Sequence, residues 1–280
     1  MALGGFVVRM GFVCCFVALA HGSSTAQATD GCQAKLSDVI AGAYPHAEKV
    51  TDTQISVDGR TLFLPGSKLG AEADRYSATC RVWPAHPERL LVAVPLMADM
   101  SDSVMIGDLE LLVADTSTLS IEHRFLMKDV IEDDAFKISS MRFDTARYTV
   151  KPTTLAFGLR VAKAGSSAVN PFEEITLSLY AIEEGQLKQL LDGMVVAKEQ
   201  GEWDGNCHGI MRTTTRTLSM GNNATHDVTD ILVEEEVSVR RYTSNARAEC
   251  REQTDHQPVR RLRVKFDGTR YVIPDEMKPL

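Results

Sequence analysis

Leu155-Ala-Phe-Gly-Leu-Arg-Val161 places an apolar side chain at every second position. A period of two is that of a strand with one face buried, because successive side chains on a strand point to opposite sides. The same rule holds on both sides of this stretch: at Ile55 and Val57, at Tyr76, Ala78, Cys80 and Val82, and at Leu109, Leu111 and Val113. It continues at Leu119, Ile121 and His123, at Ile175, Leu177 and Leu179, at Ile231, Val233, Val237 and Val239, and at Leu262, Val264 and Phe266. Polar turn sequences separate these runs: Asp58-Gly59, Asp115-Thr-Ser-Thr118, Glu183-Glu-Gly185, Gly221-Asn-Asn223 and Asp267-Gly268. The pattern predicts an all-β chain of antiparallel hairpins, folded as a sandwich or a propeller-like body.

One segment has a helical period. Cys32, Leu36, Val39 and Ile40 lie at i, i+4, i+7 and i+8 ahead of Tyr44-Pro45, which predicts one short N-terminal helix over 33–43. Residues 125–136, with Lys128-Asp129 and Glu132-Asp-Asp134, fit either a short helix or an acidic loop. A hairpin centred near Asn223 would pair 210–220 with 227–242. Phe143-Asp144-x-x-Arg147-Tyr148 returns as Phe266-Asp267-x-x-Arg270-Tyr271, with an echo in Val57-Asp58-Gly59-Arg60. Leu109-Glu-Leu111 with Leu119 likewise matches Leu177-Ser-Leu179 with Leu187. These echoes read either as repeated strand-turn-strand units or as hairpins that share turn residues.

The first 28 residues have another grammar. Arg9 precedes the uncharged run Met10-Gly-Phe-Val-Cys-Cys-Phe-Val-Ala-Leu-Ala20, and Ala26-Gln27-Ala28 follows. Cation, apolar core and A-x-A form a cleavable secretory signal, and the run is shorter than the roughly 18 residues a membrane span needs. The expectation is a signal peptide at 1–28 and a soluble, β-rich mature domain at 29–280, periplasmic or secreted, with no transmembrane segment after cleavage. Residues 163–171 are the one stretch where a subdivision could fall.

Removing residues 1–28 takes away one cation and no acid, so the formal charge goes from −8 to −9. That sign disfavours a nucleic-acid partner. Residues 201–280 carry 12 basic against 13 acidic side chains, and ten of the cations are Arg, which suits pairing with carboxylates on neighbouring strands.

Four cysteines remain in the mature chain: Cys32, Cys80, Cys207 and Cys250. An even number in an exported protein implies disulfides, here Cys32–Cys80 and Cys207–Cys250 from their distribution of two early and two late. The expected hairpin supports the second bridge, since it sets Cys207 near Tyr242 and a few residues from Cys250. Zinc is the alternative for such a set, but no C-x-x-C or H-x-x-x-H spacing occurs.

Gly165-Ser-Ser167, Asn170-Pro171, Thr176-Leu-Ser-Leu-Tyr180, Leu191-Asp-Gly193 and Gly201-Glu-Trp-Asp-Gly-Asn-Cys207 resemble a group of uncharacterised exported proteins of Gram-negative bacteria. The resemblance implies a periplasmic location, makes Asn223-Ala-Thr225 a turn rather than a glycosylation acceptor, and transfers no activity.

No nucleophile elbow occurs, and Gly165-Ser166-Ser167 reads as a loop between strands. Cys207-His208 reads as structural, and His123 sits on the apolar register of its strand, so no histidine is singled out for proton transfer. Calcium is the one cofactor with candidate ligands, in Asp99-Met-Ser-Asp102 with Asp108 and in Glu132-Asp-Asp134, although neither has the spacing of a self-contained loop site. Trp203, in the loop that the late disulfide would hold, is either a recognition anchor for a partner or core that covers the bridge. These readings favour an exported binding or inhibitory module acting through loops on a β scaffold, with a periplasmic or envelope protein as partner. The alternative is a periplasmic hydrolase whose site is assembled from distant residues.

Overall fold

A computed structural model describes residues 31–66, 75–101, 104–245 and 249–280. The expected signal peptide and Asp102 lie outside the described residues. Two antiparallel sheets follow one another along the chain. The first has seven strands: β1 (Glu48–Lys49), β2 (Gln54–Val57), β3 (Arg60–Phe63), β4 (Thr79–Trp83), β5 (His86–Met100), β6 (Met105–Asp115) and β7 (Ile121–Asp133). The second has eight: β8 (Phe136–Lys151), β9 (Thr154–Gly165), β10 (Phe172–Glu183), β11 (Gln186–Trp203), β12 (Gly209–Thr225), β13 (Val228–Ser244), β14 (Cys250–His256) and β15 (Arg260–Val264). Among the described residues the chain is all-β, with one short helix, α1 (Leu36–Ala43), and short 3-10 turns. Two sheets sharing one core make a sandwich, whereas a propeller needs four or more blades.

Three apolar layers hold the chain together. The quoted row of β9 (Leu155, Phe157, Leu159, Val161) faces the first sheet and meets Leu91, Met97, Leu109, Leu111 and Ile131. On the outer face of the first sheet, Leu36, Val39 and Ile40 of α1 cover Leu90, Val92, Val94 and Leu112. Between these layers β5 is buried on both faces. Arg124 ties the helix down, donating to both carboxylate oxygens of the buried Glu110 (2.8 and 3.0 Å) and to the Ala43 carbonyl (3.1 Å) at the helix end. Tyr44, which ends the helix, donates its hydroxyl to Glu110 at 2.5 Å, and burial, reinforced by that carboxylate, pushes the phenol well above its ordinary range.

The third layer lies inside the second sheet, which curls until β12 and β13 approach β8 without forming a ladder to it. Leu177, Leu179, Leu191, Ile231, Val233 and Val264 fill the curl. The segment after β15 closes it, with the Tyr271 N–H donating to the Leu190 carbonyl (2.7 Å) and the Tyr271 hydroxyl to that of Thr229 (2.6 Å).

Several expectations change here. Residues 121–133 form strand β7, not a helix or loop, and Asp134-Ala135 joins it to β8, crossing from one sheet to the other. Asp129, with positive φ, interrupts the alternation that would have revealed the strand. The late hairpin turns at His226-Asp227, both with positive φ, as a two-residue type I′ turn requires. Gly221-Asn-Asn223 lies within β12, where the register slips between Met220 and Ala224, so Asn223-Ala-Thr225 is strand and not turn. Phe143–Tyr148 and Phe266–Tyr271 share local turn chemistry: Asp144 accepts the Ala146 N–H (3.0 Å), and Asp267 accepts those of Thr269 and Arg270 (2.7 and 2.9 Å). The turn sequence therefore recurs without a repeated domain.

Both disulfides form as expected, Cys32–Cys80 and Cys207–Cys250. The first fastens the helical segment to β4. The second joins the ends of β12 and β14. The late arginines pair with carboxylates across strands, as in Arg240–Glu199, Arg241–Asp255, Arg261–Glu234 and Arg263–Asp230. Residues 163–171 span the end of β9 and the loop to β10, adjacent strands of one sheet. Among the described residues no helix is long and apolar enough to cross a membrane.

Candidate functional site

The disulfide-held end of the second sheet gathers the residues most suited to recognition. Here β11 and β13 end, and β12 and β14 begin. The Cys207–Cys250 bridge is buried on its Cys207 side, and β14 beyond it is exposed along its whole length. Trp203, the last residue of β11, is half-buried, with the edge of its indole against Tyr242 (ring centroids 5.2 Å apart). The ring lies over Gly209, where an added Cβ would come within 2.5 Å of the indole. Only glycine therefore lets the aromatic sit flat on β12.

Trp203 also positions the loop between β9 and β10. Its N–H donates to the Val169 carbonyl at 2.8 Å, and Ser167 Oγ accepts the Asn170 N–H at 3.0 Å. Gly165-Ser166-Ser167 is thus loop scaffolding. Beside the indole, Val169 is 51% exposed, enough to leave an apolar edge in water, whereas Ile210, 40% exposed, pairs with Glu202 and so points to the other face of β12. Trp203, Val169, Asn170, Ile210, Asp204 and His208 border a shallow recess of about 440 Å³.

Asp204 organises the polar side. One carboxylate oxygen accepts the backbone N–H groups of Asn206 (2.8 Å) and His208 (2.9 Å), and these bonds, that of His208 first, hold the carboxyl below its usual range. The other oxygen faces His208 Nδ1 at 3.3 Å, and His208 Nε2 lies 3.2 Å from Ser244 Oγ. Carboxylate, imidazole and hydroxyl therefore stand in line. An acid on Nδ1 leaves the Nε2 lone pair toward the serine. Reading Cys207-His208 as merely structural missed this line: His208 is exposed, and Ser244 reaches it only through the pairing of β12 with β13.

The other candidates are occupied by structure. Asp108 pairs with Arg60 (2.9 Å) and accepts the Asp129 N–H (2.8 Å). Asp133 pairs with Lys163 (2.7 Å) and accepts from Tyr76 and the Ile138 N–H. Asp108 and Asp133, the buried members of the proposed calcium sets, are thus spent on protein donors, and among the described residues no three His, Cys, Asp or Glu side chains are grouped to hold a metal. His123 is a half-buried residue of β7. A cleft of about 270 Å³ between the sheets, walled by Met127, Met141, Leu159 and Tyr180, has its polar groups bonded internally, Gln189 to Tyr180 (3.3 Å) and the Gly193 N–H to Ser178 (2.9 Å). No family model, curated protein or solved structure matches the chain.

Proposed function

We propose that this chain is an exported binding or inhibitory module of the bacterial periplasm that engages an envelope protein through the Trp203 end of its second sheet. The observation that carries this reading is a half-buried tryptophan beside the exposed aliphatic Val169, on backbone held by a disulfide. Large aromatics partly sunk in a rigid surface are the commonest binding anchors, because they bring contact area at little entropic cost. A photo-crosslinking amino acid placed at Val169 should give one discrete adduct in periplasm, and the same group at the exposed Ser117 turn should give none. Equal labelling from both positions, or none from Val169, rejects the reading.

The line of Asp204, His208 and Ser244 favours a second reading, a serine hydrolase. Ser244 Oγ would attack an ester carbonyl and pass its proton to His208 Nε2, which returns it to the leaving alcohol; water then releases the acyl group. A fluorophosphonate probe separates the two readings, since a hydrolase would be labelled at Ser244 and a binding module would not.

A further inference from the structure

A second recess lies on the opposite face of β11 and β12 from Trp203, since Gln200 pairs with Arg212 and Trp203 with Gly209 in an unbroken ladder. It has a volume of about 220 Å³, and five cations line it (Lys198, Arg212, Arg216, Arg260 and Lys278) against two carboxylates, Glu235 and Glu276. The sheet itself creates the hollow. The β11–β12 ladder ends at Ala197 and Thr215, and beyond that point β12 pairs with β13 alone. Arg216 sits in the fork, donating to the Val195 carbonyl (2.8 Å), to Glu235 (2.8 Å) and to the Glu276 carbonyl (3.1 Å), so the floor is a buried, immobile guanidinium.

Most of this charge is answered. Glu235 is shared by Arg216 and Arg260, and Arg260 also reaches Glu276 at 3.2 Å. Lys198 pairs with Glu174 at 3.2 Å from outside the recess. Two cations differ. Among the described residues Arg212 has no carboxylate partner, and its hydrogen bond is a long one of 3.4 Å to the neutral Gln257. Lys278 is held by Asp275, but those side chains are 57% and 94% exposed, where a pair contributes little and is easily exchanged. A chain of net charge −8 thus carries a concave positive site with an unpaired guanidinium on its wall. Such a hollow focuses anions that the rest of the surface repels.

We propose that this recess binds the oxyanion group of a small soluble molecule, a phosphate or a carboxylate, with Arg212 as the principal donor and Lys278 at the rim. The planar fork of an arginine matches either group. The site is independent of the Trp203 end, so it can fail without affecting that reading.

The test is calorimetric titration of the mature chain with inorganic phosphate and with citrate at low ionic strength. At least one of them should bind saturably, and Arg212→Gln should weaken binding tenfold or more, with partial recovery in Arg212→Lys. Arg261→Gln, whose side chain is 82% exposed outside the recess, should bind as the parent does. If Arg212→Gln does not fold, Lys278→Gln carries the test, with an expected loss of threefold or more. Absence of saturable binding by both anions overturns the proposal, as does equal weakening by Arg261→Gln. Sedimentation with phosphatidylglycerol vesicles, without a response to either free anion, would give the charge to a lipid surface and overturn it too.

Discussion

Strands β5 and β14 are opposites. From Leu90 to Met97, β5 is buried on both faces, by α1 on one side and the second sheet on the other. All seven residues of β14 are exposed, and the strand is held by one ladder to β13 and one disulfide. The two regions use the same backbone geometry for different ends. Burial of apolar side chains fixes β5, whereas hydrogen bonds, an ion pair of Asp255 with Arg241 and a covalent tie hold β14 and leave its side chains exposed.

One of the two largest effects should come from the sheathed region. Leu91 is fully buried between the sheets, so Leu91→Ala should lower the unfolding free energy by about 2–5 kcal/mol, read from urea unfolding. A loss under about 1 kcal/mol would mean that the sheets are not closed on each other.

Next come the two bridges, which span 48 and 43 residues. Chain entropy assigns loops of that size nearly equal contributions, about 4 kcal/mol each, so Cys32→Ser with Cys80→Ser and Cys207→Ser with Cys250→Ser should lower global stability alike. They should differ in hydrogen exchange below the unfolding transition. Loss of the late bridge should open β14 on its own, while α1 stays protected by its contacts without the early one. Equal local exchange at both ends would erase the contrast.

The smallest effect should be at Trp203. Half-buried and packed on Tyr242, it contributes less than either bridge, and Trp203→Ala should lower stability by roughly 1 kcal/mol. Thermal melting under oxidising conditions compares it with the late cysteine pair. A drop as large as theirs would make the indole core and remove the basis of the proposed recognition site.

The same contrast explains what the sequence made legible. β9, β10 and β13 alternate visibly because strong apolar residues mark one face of each. β5 does not, because a strand covered on both sides has no polar face, and Leu90-Leu-Val-Ala-Val94 is a continuous apolar run. β7 was obscured by the positive φ of Asp129 and by acids gathered at the crossing between sheets. In the late hairpin, Gly-Asn-Asn outweighed His226-Asp227, since glycine and asparagine are the usual residues at positive φ. Trp203 and the cysteines could be singled out by residue type. Ser244 could not, because it lies 36 residues from His208 and meets it only through a register that the displaced turn had shifted.

The order of the strands has a kinetic consequence. With few exceptions each ladder joins strands adjacent in sequence, so most closures are hairpins with short turns and a small loop-closure entropy. A chain delivered N-terminus first can therefore zip each strand onto the preceding one as it emerges. The segment after β15 must reach back farther than any hairpin, placing Tyr271 against Leu190 and Glu276 against Arg216. Seating that segment covers the curl. Until then the curled sheet is open, and its apolar interior is the surface most exposed to aggregation and proteolysis.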